Sequence, residues 1–207
     1  MIVKSIEKLS GKKVKVTMED GISFPLYVGE IKRYSIGEEK HISDDLYEYV
    51  MEEVVYKRGR ERAMYMLQCS DKTERQLRDK LAAGGYPEKI IEKIINFLKK
   101  YGYIDDYGYA VSFIKARKET MSTKMIQYKL MSRGIDKGII ENAFMEVSDM
   151  ETGSEESIIM EIIRKKKFDY NNSGAKEKNR IIFYLLRKGF NYDDIMESIK
   201  KSSKNQW

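Results

Sequence analysis

The feature that most constrains the fold of this chain is a residue spacing that recurs three times. Counting from a leucine, an apolar residue lies four positions before it, a glycine four positions after it and another apolar residue five positions after it. The copies are Leu77-Leu81-Gly85-Tyr86, Ile126-Leu130-Gly134-Ile135 and Ile181-Leu185-Gly189-Phe190. Apolar pairs follow ten and fourteen positions after each leucine, at Ile91 and Ile95, Ile140 and Phe144, and Ile195 and Ile199. A fixed internal spacing of this kind is typical of repeat proteins.

The offsets within each copy predict two helices joined by a glycine turn. Side chains four residues apart share one helical face, and a glycine that closes such a run suits the left-handed residue after a helix end. The apolar residue after the glycine would make the contact that accompanies a Schellman ending. We expect Pro87 at the first helical position of the next helix in one copy, and Asp136 and Asn191 as helix caps in the other two.

A further apolar helix is predicted before each pair, so that each unit contains three helices. These helices cover about residues 60–68, 106–117 and 155–167. The chain is therefore predicted to be mainly α, with tandem three-helix repeats in an elongated array. The repeat boundaries are placed at 60–104 for repeat 1, 105–148 for repeat 2 and 149–207 for repeat 3. Hinges are expected at residues 149–154 and at the loop 171–174, because both are rich in turn-forming residues.

The N-terminal residues 1–42 have a β pattern instead. Apolar and polar residues alternate on both sides of a turn, at Val14, Val16, Met18, Phe24, Leu26 and Val28. Asp20-Gly21 between them is a favoured two-residue hairpin turn. Residues 2–9 and 30–34 are candidates for further strands of a small sheet. A connecting helix is predicted over residues 43–59, with an interruption expected near Gly59.

Composition and charge narrow the class of protein. The chain of 207 residues is 42% hydrophobic and 35% charged, which is ordinary for a charge-rich helical protein. A net charge of +6 is compatible with a polyanionic partner. No apolar run reaches the roughly 18 residues that a membrane span needs, and the first residues lack the pattern of a secretory signal. We therefore expect a cytoplasmic protein without membrane contact.

Catalytic and metal-binding patterns are weak in this sequence. The single histidine, His41, has no identifiable catalytic partner, and the single cysteine, Cys69, is expected to be buried beside an apolar helix. Three pairs of adjacent aspartates fall where helices are predicted to begin, so that capping is favoured over metal binding. These pairs are Asp44-Asp45, Asp105-Asp106 and Asp193-Asp194. The sequence therefore predicts a protein that is not an enzyme and holds no cofactor or metal.

Cations near helix ends are the candidate binding residues. The run Arg164, Lys165, Lys166 and Lys167 is longer than one helix dipole requires, so we expect contact with phosphate or with an acidic protein surface. The other selected cations are Arg187, Lys188, Arg117, Lys118, Arg75 and Arg78. For all ten cations, the run included, neutralisation of helix dipoles and surface solubility is the alternative. Tyrosines could stack on bases of a single strand, but four of them occupy apolar positions and are expected in the core instead, namely Tyr65, Tyr86, Tyr103 and Tyr184.

Two stretches of sequence resemble a known family. Residues 103–117 read YIDDYGYAVSFIKAR and residues 130–135 read LMSRGI, which together closely resemble the central signature of the RecX family. Residues 73–86 are similar to its first repeat and residues 185–190 to its third, so the resemblance covers roughly residues 60–200. Two positions depart from the common pattern: Lys129 stands where Glu is common, and Ser122 where Gly is common.

The resemblance implies a regulator of the RecA recombinase in DNA recombination and repair. Such a regulator is typically an inhibitor that lies in the groove of the RecA filament on single-stranded DNA and limits filament extension, ATP hydrolysis and strand exchange. The implied partners are the RecA filament and single-stranded DNA, with weaker binding of double-stranded DNA and a monomeric protein expected. Two alternatives stay open, namely a DNA-binding helical module acting alone and a helical scaffold for another protein complex. Whether this protein inhibits or assists the recombinase is also open.

Overall fold

Three short strands open the chain and helices follow in the computed structural model, which describes residues 1–148 and 153–204. The strands are β1 (Val3–Ser10), β2 (Lys13–Met18) and β3 (Ser23–Tyr27). The helices are α1 (Val28–Arg33), α2 (Asp44–Tyr49), α3 (Lys57–Cys69), α4 (Glu74–Ala83), α5 (Glu88–Lys100), α6 (Asp106–Arg117), α7 (Thr123–Met131), α8 (Lys137–Ser148), α9 (Glu155–Lys165), α10 (Ala175–Arg187) and α11 (Tyr192–Lys204). The chain divides into unit 1, Met1–Asp105, and unit 2, Asp106–Trp207. The predicted mainly helical fold with three-helix repeats and a small N-terminal sheet is confirmed.

The sheet is antiparallel, in the order β1-β2-β3, and it includes the strand predicted near residues 2–9. The β2–β3 loop differs from the prediction of a two-residue turn. Met18 N–H donates to Ile22 C=O at 2.9 Å and Gly21 N–H donates to Met18 C=O at 3.0 Å. Gly21 has a φ of 85°. The loop therefore has three residues and ends in a left-handed glycine, which is the next most common hairpin geometry.

The strand predicted over residues 30–34 is wrong, because these residues belong mainly to helix α1. The Glu30 carboxylate accepts a hydrogen bond from Tyr27 N–H at 2.8 Å and also pairs with Arg58, which fixes the first turn of the helix. Ile31 and Tyr34 then pack against the core of unit 1. A partner 28 residues away in sequence thus decides the structure of this segment.

The interruption predicted near Gly59 is also wrong. Helix α2 begins after Ser43, whose hydroxyl accepts from Leu46 N–H, and it continues through a π-helical stretch, Val50–Tyr56, into α3. Gly59 is buried in α3, where an added Cβ would lie 2.6 Å from Cδ1 of Ile94 on α5. The glycine therefore allows α3 and α5 to approach closely. The predicted connecting helix and the first helix of repeat 1 are one continuous helical segment.

All three predicted glycine turns are confirmed as helix endings of the Schellman type. In repeat 1, Gly85 N–H donates to Ala82 C=O at 2.8 Å and Tyr86 N–H donates to Leu81 C=O at 3.2 Å. Gly85, Gly134 and Gly189 have φ values of 85°, 82° and 90°. Pro87 lies one position before the predicted one, as the residue that precedes helix α5. Asp136 accepts from Gly138 N–H at 2.7 Å, as expected of a cap.

Each unit has its own apolar core. In unit 1, side chains of the sheet and of repeat 1 form one core, in which Val3, Phe24 and Leu26 are as fully buried as Leu77 and Leu81. In unit 2, repeat 2 and repeat 3 have separate cores. The N-terminal sheet is therefore part of the first compact unit and not a separate appendage.

Repeats 2 and 3 meet at the beginning of α7, within unit 2. Ser122 N–H donates to Lys188 C=O at 3.1 Å, and Thr123 N–H donates to the Glu155 carboxylate at 3.1 Å. Next to this contact lies Gly189, where an added Cβ would be 2.5 Å from both Cβ of Met125 and Oγ of Ser122. The hinge predicted at residues 149–154 falls largely outside the described residues. Its last residue, Ser154, caps α9 through Ser157 N–H at 3.2 Å.

Candidate nucleic-acid interface

The predicted cation run lies at the end of α9. Arg164 and Lys165 belong to the helix, whereas Lys166 is the C-cap and Lys167 has a left-handed φ of 51°. Lys167 N–H donates to Arg164 C=O at 3.0 Å and Phe168 N–H donates to Ile163 C=O at 3.2 Å. This is the hydrogen-bond pattern of the glycine endings, formed here with a lysine in place of glycine. The helix is therefore two residues shorter than predicted and ends in a left-handed turn at Lys167.

Arg164 is neutralised within its own helix. Its Nε and Nη2 atoms donate to the two carboxylate oxygens of Glu161 at 2.8 and 2.7 Å, and Lys165 Nζ lies 3.4 Å from the same carboxylate. The hydrogen bond from Arg164 lowers the pKa of Glu161 to about 2, and the same bond raises the pKa of Arg164. Of the four cations in the run, Arg164 is thus the one most completely compensated.

The other three cations of the run line an open groove of about 540 Å³ in repeat 3. The fourth cation of the groove, Arg180, comes from α10. We call Lys165, Lys166, Lys167 and Arg180 the groove cations. The remaining lining residues are Phe168, Ser173, Glu177 and Ile181. Within residues 1–148 and 153–204, no carboxylate forms an ion pair with Lys166, Lys167 or Arg180.

Arg180 was not selected from the sequence, although a signal was present. It precedes the buried Ile181 and lies four residues before Tyr184, so helical spacing puts it beside the face of α10 that packs in repeat 3. The cations predicted from the sequence occur in runs or pairs near helix ends, whereas Arg180 is a single arginine in the second turn of α10.

The Tyr184 ring brings two predicted cations together. Lys166 Nζ lies 4.0 Å from the ring centroid and Lys188 Nζ lies 5.5 Å from it. Both distances are in the range of cation–π attraction. Tyr184 itself packs against the core of repeat 3. The end of α9 and the end of α10 therefore present their cations around one aromatic ring.

The cations Arg117 and Lys118 lie near the contact between repeats 2 and 3. Lys118 is four residues before Ser122, whose N–H bonds to Lys188 C=O, and four residues span at most roughly 14 Å. The Arg117 guanidinium lies 5.9 Å from the Phe113 ring centroid, and the side chain is exposed. We call Arg117, Lys118, Arg187 and Lys188 the junction cations. Of the two groups, the structure joins Lys166 and Lys188 directly through the Tyr184 ring.

Arg75 and Arg78 are in unit 1 and have carboxylate partners. Arg75 pairs with Asp79 on the same helix at 3.0 Å. Arg78 joins Glu74, at 2.8 Å, to Glu88 at the start of α5, at 3.1 Å. Burial raises the pKa of Glu74, but hydrogen bonds from Lys99 and Arg78 outweigh it, so that this pKa lies below its ordinary value. Arg78 therefore links α4 to α5, whereas the ion pair of Arg75 stays within α4.

Several aromatic and polar residues differ from the predicted burial. Tyr86 is buried as predicted, but Tyr65 and Tyr103 are 67% and 48% exposed, so their assignment to the core is wrong. Tyr103 stacks on Phe97 with a centroid distance of 6.3 Å. The prediction that Cys69 is buried is also wrong, because this last residue of α3 is exposed.

The carboxylate pairs lie where helices begin, as predicted. Asp44 and Asp45 are in the first turn of α2, and Asp193 and Asp194 in the first turn of α11. In the part of the chain that the structure describes, no group of three or more His, Cys, Asp or Glu side chains could hold a metal ion. The described helices also include none that is long and apolar enough to cross a membrane.

These features define a helical repeat protein with an exposed cationic groove, the class of a binding or regulatory protein. Sequence profiles of the first and the third three-helix domain of RecX match residues 60–98 and 154–199. Regulatory protein RecX of Clostridium acetobutylicum is 30% identical over 201 residues, which cover 94% of this chain and 92% of that protein. Regulatory protein RecX of Clostridium botulinum is 28% identical over 200 residues, covering 95% and 93%. The chain belongs to the RecX family.

Solved structures agree with this assignment. The crystal structure of RecX from Lactobacillus salivarius is 28% identical and matches with a TM-score of 0.54, covering 72% of this chain and 97% of that chain. A second crystal structure, of a regulatory protein RecX, has the same fold at 18% identity, with a TM-score of 0.55 and coverage of 97% and 98%. RecX is a family of regulatory proteins and not of enzymes, which agrees with the prediction from the sequence.

Proposed function

We propose that this protein regulates the RecA recombinase by binding the RecA filament on single-stranded DNA. In this proposal it acts mainly as an inhibitor that limits filament extension, ATP hydrolysis and strand exchange. The observation that carries the proposal is the similarity to regulatory proteins RecX over nearly the whole chain. Because the regulation is by binding, the proposal requires a recognition surface and no catalytic group.

The groove cations and the junction cations are the proposed recognition surface. Eight positive charges gathered on unit 2 suit a ligand with regularly spaced negative charges, and phosphates of nucleic acid are such a ligand. Arg75, Arg78 and Arg164 contribute less to this surface, because neighbouring carboxylates already compensate their charges. Weaker binding of double-stranded DNA and a monomeric state are part of the same proposal.

Repetition of similar units explains how such a protein could follow a filament. Tandem three-helix units offer a series of similar surfaces, and an elongated arrangement of them can lie along a polymer groove. The two separate cores of repeats 2 and 3 support this view, since each repeat is packed around its own apolar residues. The recognition is thus one of shape and charge along a polymer.

DNA-stimulated ATP hydrolysis by RecA, measured while this protein is titrated in, tests the proposal. A regulator that caps filament growth inhibits at far fewer molecules than there are RecA subunits, whereas a competitor for DNA needs amounts comparable to the DNA sites. We expect inhibition at substoichiometric amounts. No effect at any ratio would contradict the proposal and favour a scaffold for another protein complex.

The cationic groove also favours a second candidate, a DNA-binding module that acts without the recombinase. Its affinity for DNA would fall steeply with salt concentration and would not change when RecA is added. Binding of labelled single-stranded DNA at several salt concentrations, with and without RecA, separates the two candidates. Binding that RecA leaves unchanged, together with competition at high ratios only, would support the module.

A further inference from the structure

We infer that the groove of repeat 3 is a binding site for the phosphodiester backbone of a single strand, and that Lys167 is held in a strained conformation to serve it. This inference rests on the proposed function only in taking single-stranded DNA as the polymer. It assigns a ligand to one set of side chains, the groove cations, and it excludes Arg164 of the same run.

The charges of the groove are available for a ligand. Lys166, Lys167 and Arg180 form no ion pair within the described residues, while Lys165 shares the Glu161 carboxylate with Arg164. Lys167 is exposed, so that its ammonium can meet a phosphate without reorganising its neighbours. Like charges held close together repel one another. A row of phosphates relieves that repulsion, which is why such a group favours an anionic polymer.

The backbone of Lys167 provides a second, independent observation. Four helices in the described chain end with the same hydrogen-bond pattern and use glycine at the left-handed position, namely Gly85, Gly102, Gly134 and Gly189. The short helix α1 uses Ser35, and α9 uses Lys167. A long L side chain at this position strains the backbone, because its Cβ approaches the neighbouring carbonyl. At Lys167, the strained residue is also one that lines the groove.

The walls of the groove favour nucleic acid over an acidic peptide. Phe168 lines the groove, and its ring centroid lies 6.4 Å from that of Tyr170. Cationic side chains combined with aromatic rings are the means by which single-stranded nucleic acid is bound. Glu177, in the same groove, repels a phosphate as it repels an acidic side chain, so the aromatic ring beside the cations is what favours nucleic acid.

Fluorescence anisotropy with a labelled oligothymidylate tests the site on the full chain, without RecA and at several salt concentrations. The variant carrying Lys166→Gln and Arg180→Gln should bind several-fold more weakly. The slope of log affinity against log salt should fall by about 0.7 for each cation removed. The matched control, Lys12→Gln together with Lys89→Gln, removes two exposed lysines of unit 1 and should bind as the unchanged protein does. Equal affinity of the groove variant and the control at every salt concentration would overturn the inference.

Lys167 offers a test in which stability and binding change in opposite directions. Lys167→Gly should raise the temperature of half-unfolding, since it removes the strain, and should weaken oligothymidylate binding roughly threefold or more. Lys167→Ala should weaken binding to a similar extent without the gain in thermal stability. A residue that serves only the fold would not give this pair of results. A Lys167→Gly variant that binds with unchanged affinity would show that the groove does not use this side chain, and the inference would fall.

The chemical class of the ligand and the role of RecA are tested separately. Labelled polyglutamate should bind more weakly than oligothymidylate. Equal binding of the two, lost together in the Lys166→Gln and Arg180→Gln variant, would overturn the assignment to nucleic acid. The oligonucleotide measurements contain no RecA, so failure to inhibit its ATP hydrolysis would contradict the proposed function alone. Unchanged oligonucleotide binding by groove variants would contradict the groove inference alone.

Discussion

Two glycines with similar backbone angles have different surroundings, and this difference sets the expected cost of replacing them. Gly102 and Gly189 have φ values of 68° and 90°. An added Cβ at Gly102 meets nothing within 4 Å, whereas at Gly189 it would lie 2.5 Å from Met125 and Ser122. Gly102→Ala should therefore cost only the conformational strain, about 1 kcal/mol. Gly189 carries an additional steric role at the contact between repeats 2 and 3.

Gly189→Ala is predicted to lower the free energy of unfolding by roughly 2–4 kcal/mol, because overpacking adds to the backbone strain. Urea denaturation of this variant beside Gly102→Ala measures the difference. An equal loss of unfolding free energy in the two variants would show that Met125 and Ser122 move to accommodate the added methyl group without an energetic cost. Gly134→Val, at a φ of 82°, should cost about 1 kcal/mol or more for the conformational reason.

The pKa of the Glu161 carboxyl measures how strongly Glu161 pairs with Arg164. Its pKa of about 2 lies below the ordinary 4.5 because Arg164 donates a hydrogen bond to it. A carboxyl with a lowered folded-state pKa stabilises the fold above its ordinary pKa, and this contribution is lost as the pH falls from about 4.5 towards about 2. Arg164→Gln should therefore raise the pKa of Glu161 towards its ordinary value, as measured by NMR titration of the carboxyl. An unchanged pKa would mean that Lys165 alone sustains the shift.

At the scale of elements, the ion pairs of Arg78 connect two helices of repeat 1. Arg78→Met is predicted to lower the free energy of unfolding by about 1 kcal/mol, since it leaves the partly buried Glu74 with fewer hydrogen bonds. Arg75→Met is the matched control on the same helix. Its partner Asp79 is well exposed, so we expect a change within about 0.5 kcal/mol. Chemical denaturation of both variants makes the comparison, and a larger loss for Arg75→Met would contradict it.

The elements differ in how far the sequence determines them locally. The helix endings at Gly85, Gly134 and Gly189 were predictable, because their hydrogen bonds and apolar contacts lie within six consecutive residues. Helix α1 was not predictable, because it depends on the pairing of Glu30 with the distant Arg58. The helix break predicted near Gly59 is wrong for a similar reason. That glycine allows close packing against Ile94 and does not form a turn.

The candidate site shows the same division. The cation run at the end of α9 was visible in the sequence, but its partition between Glu161 and the groove was not. That partition depends on the left-handed turn at Lys167 and on the approach of α10, which contributes Arg180. Helical spacing places Arg180 beside the packed face of α10, but the approach of α10 to the end of α9 is a tertiary contact that no local pattern of residues specifies.

At the scale of the whole molecule, unit 1 is predicted to fold without the rest of the chain. Its sheet and its helices bury their apolar residues in one shared core. A fragment of residues 1–105 should therefore unfold cooperatively in urea, as followed by circular dichroism. A fragment of residues 43–105 lacks Val3, Phe24 and Leu26 and should not. Cooperative unfolding of the shorter fragment with similar stability would show that the sheet contributes little to this core.

The strained lysine at the end of α9 has a consequence for laboratory evolution of this protein. Screening a library for survival after heating selects replacements that relieve backbone strain. Glycine or asparagine at position 167 would be among the first replacements selected. If the groove binds phosphates, the selected variants would have higher thermal stability and lower affinity for DNA. Any thermostable variant should therefore be assayed for ligand binding before a replacement at this position is accepted.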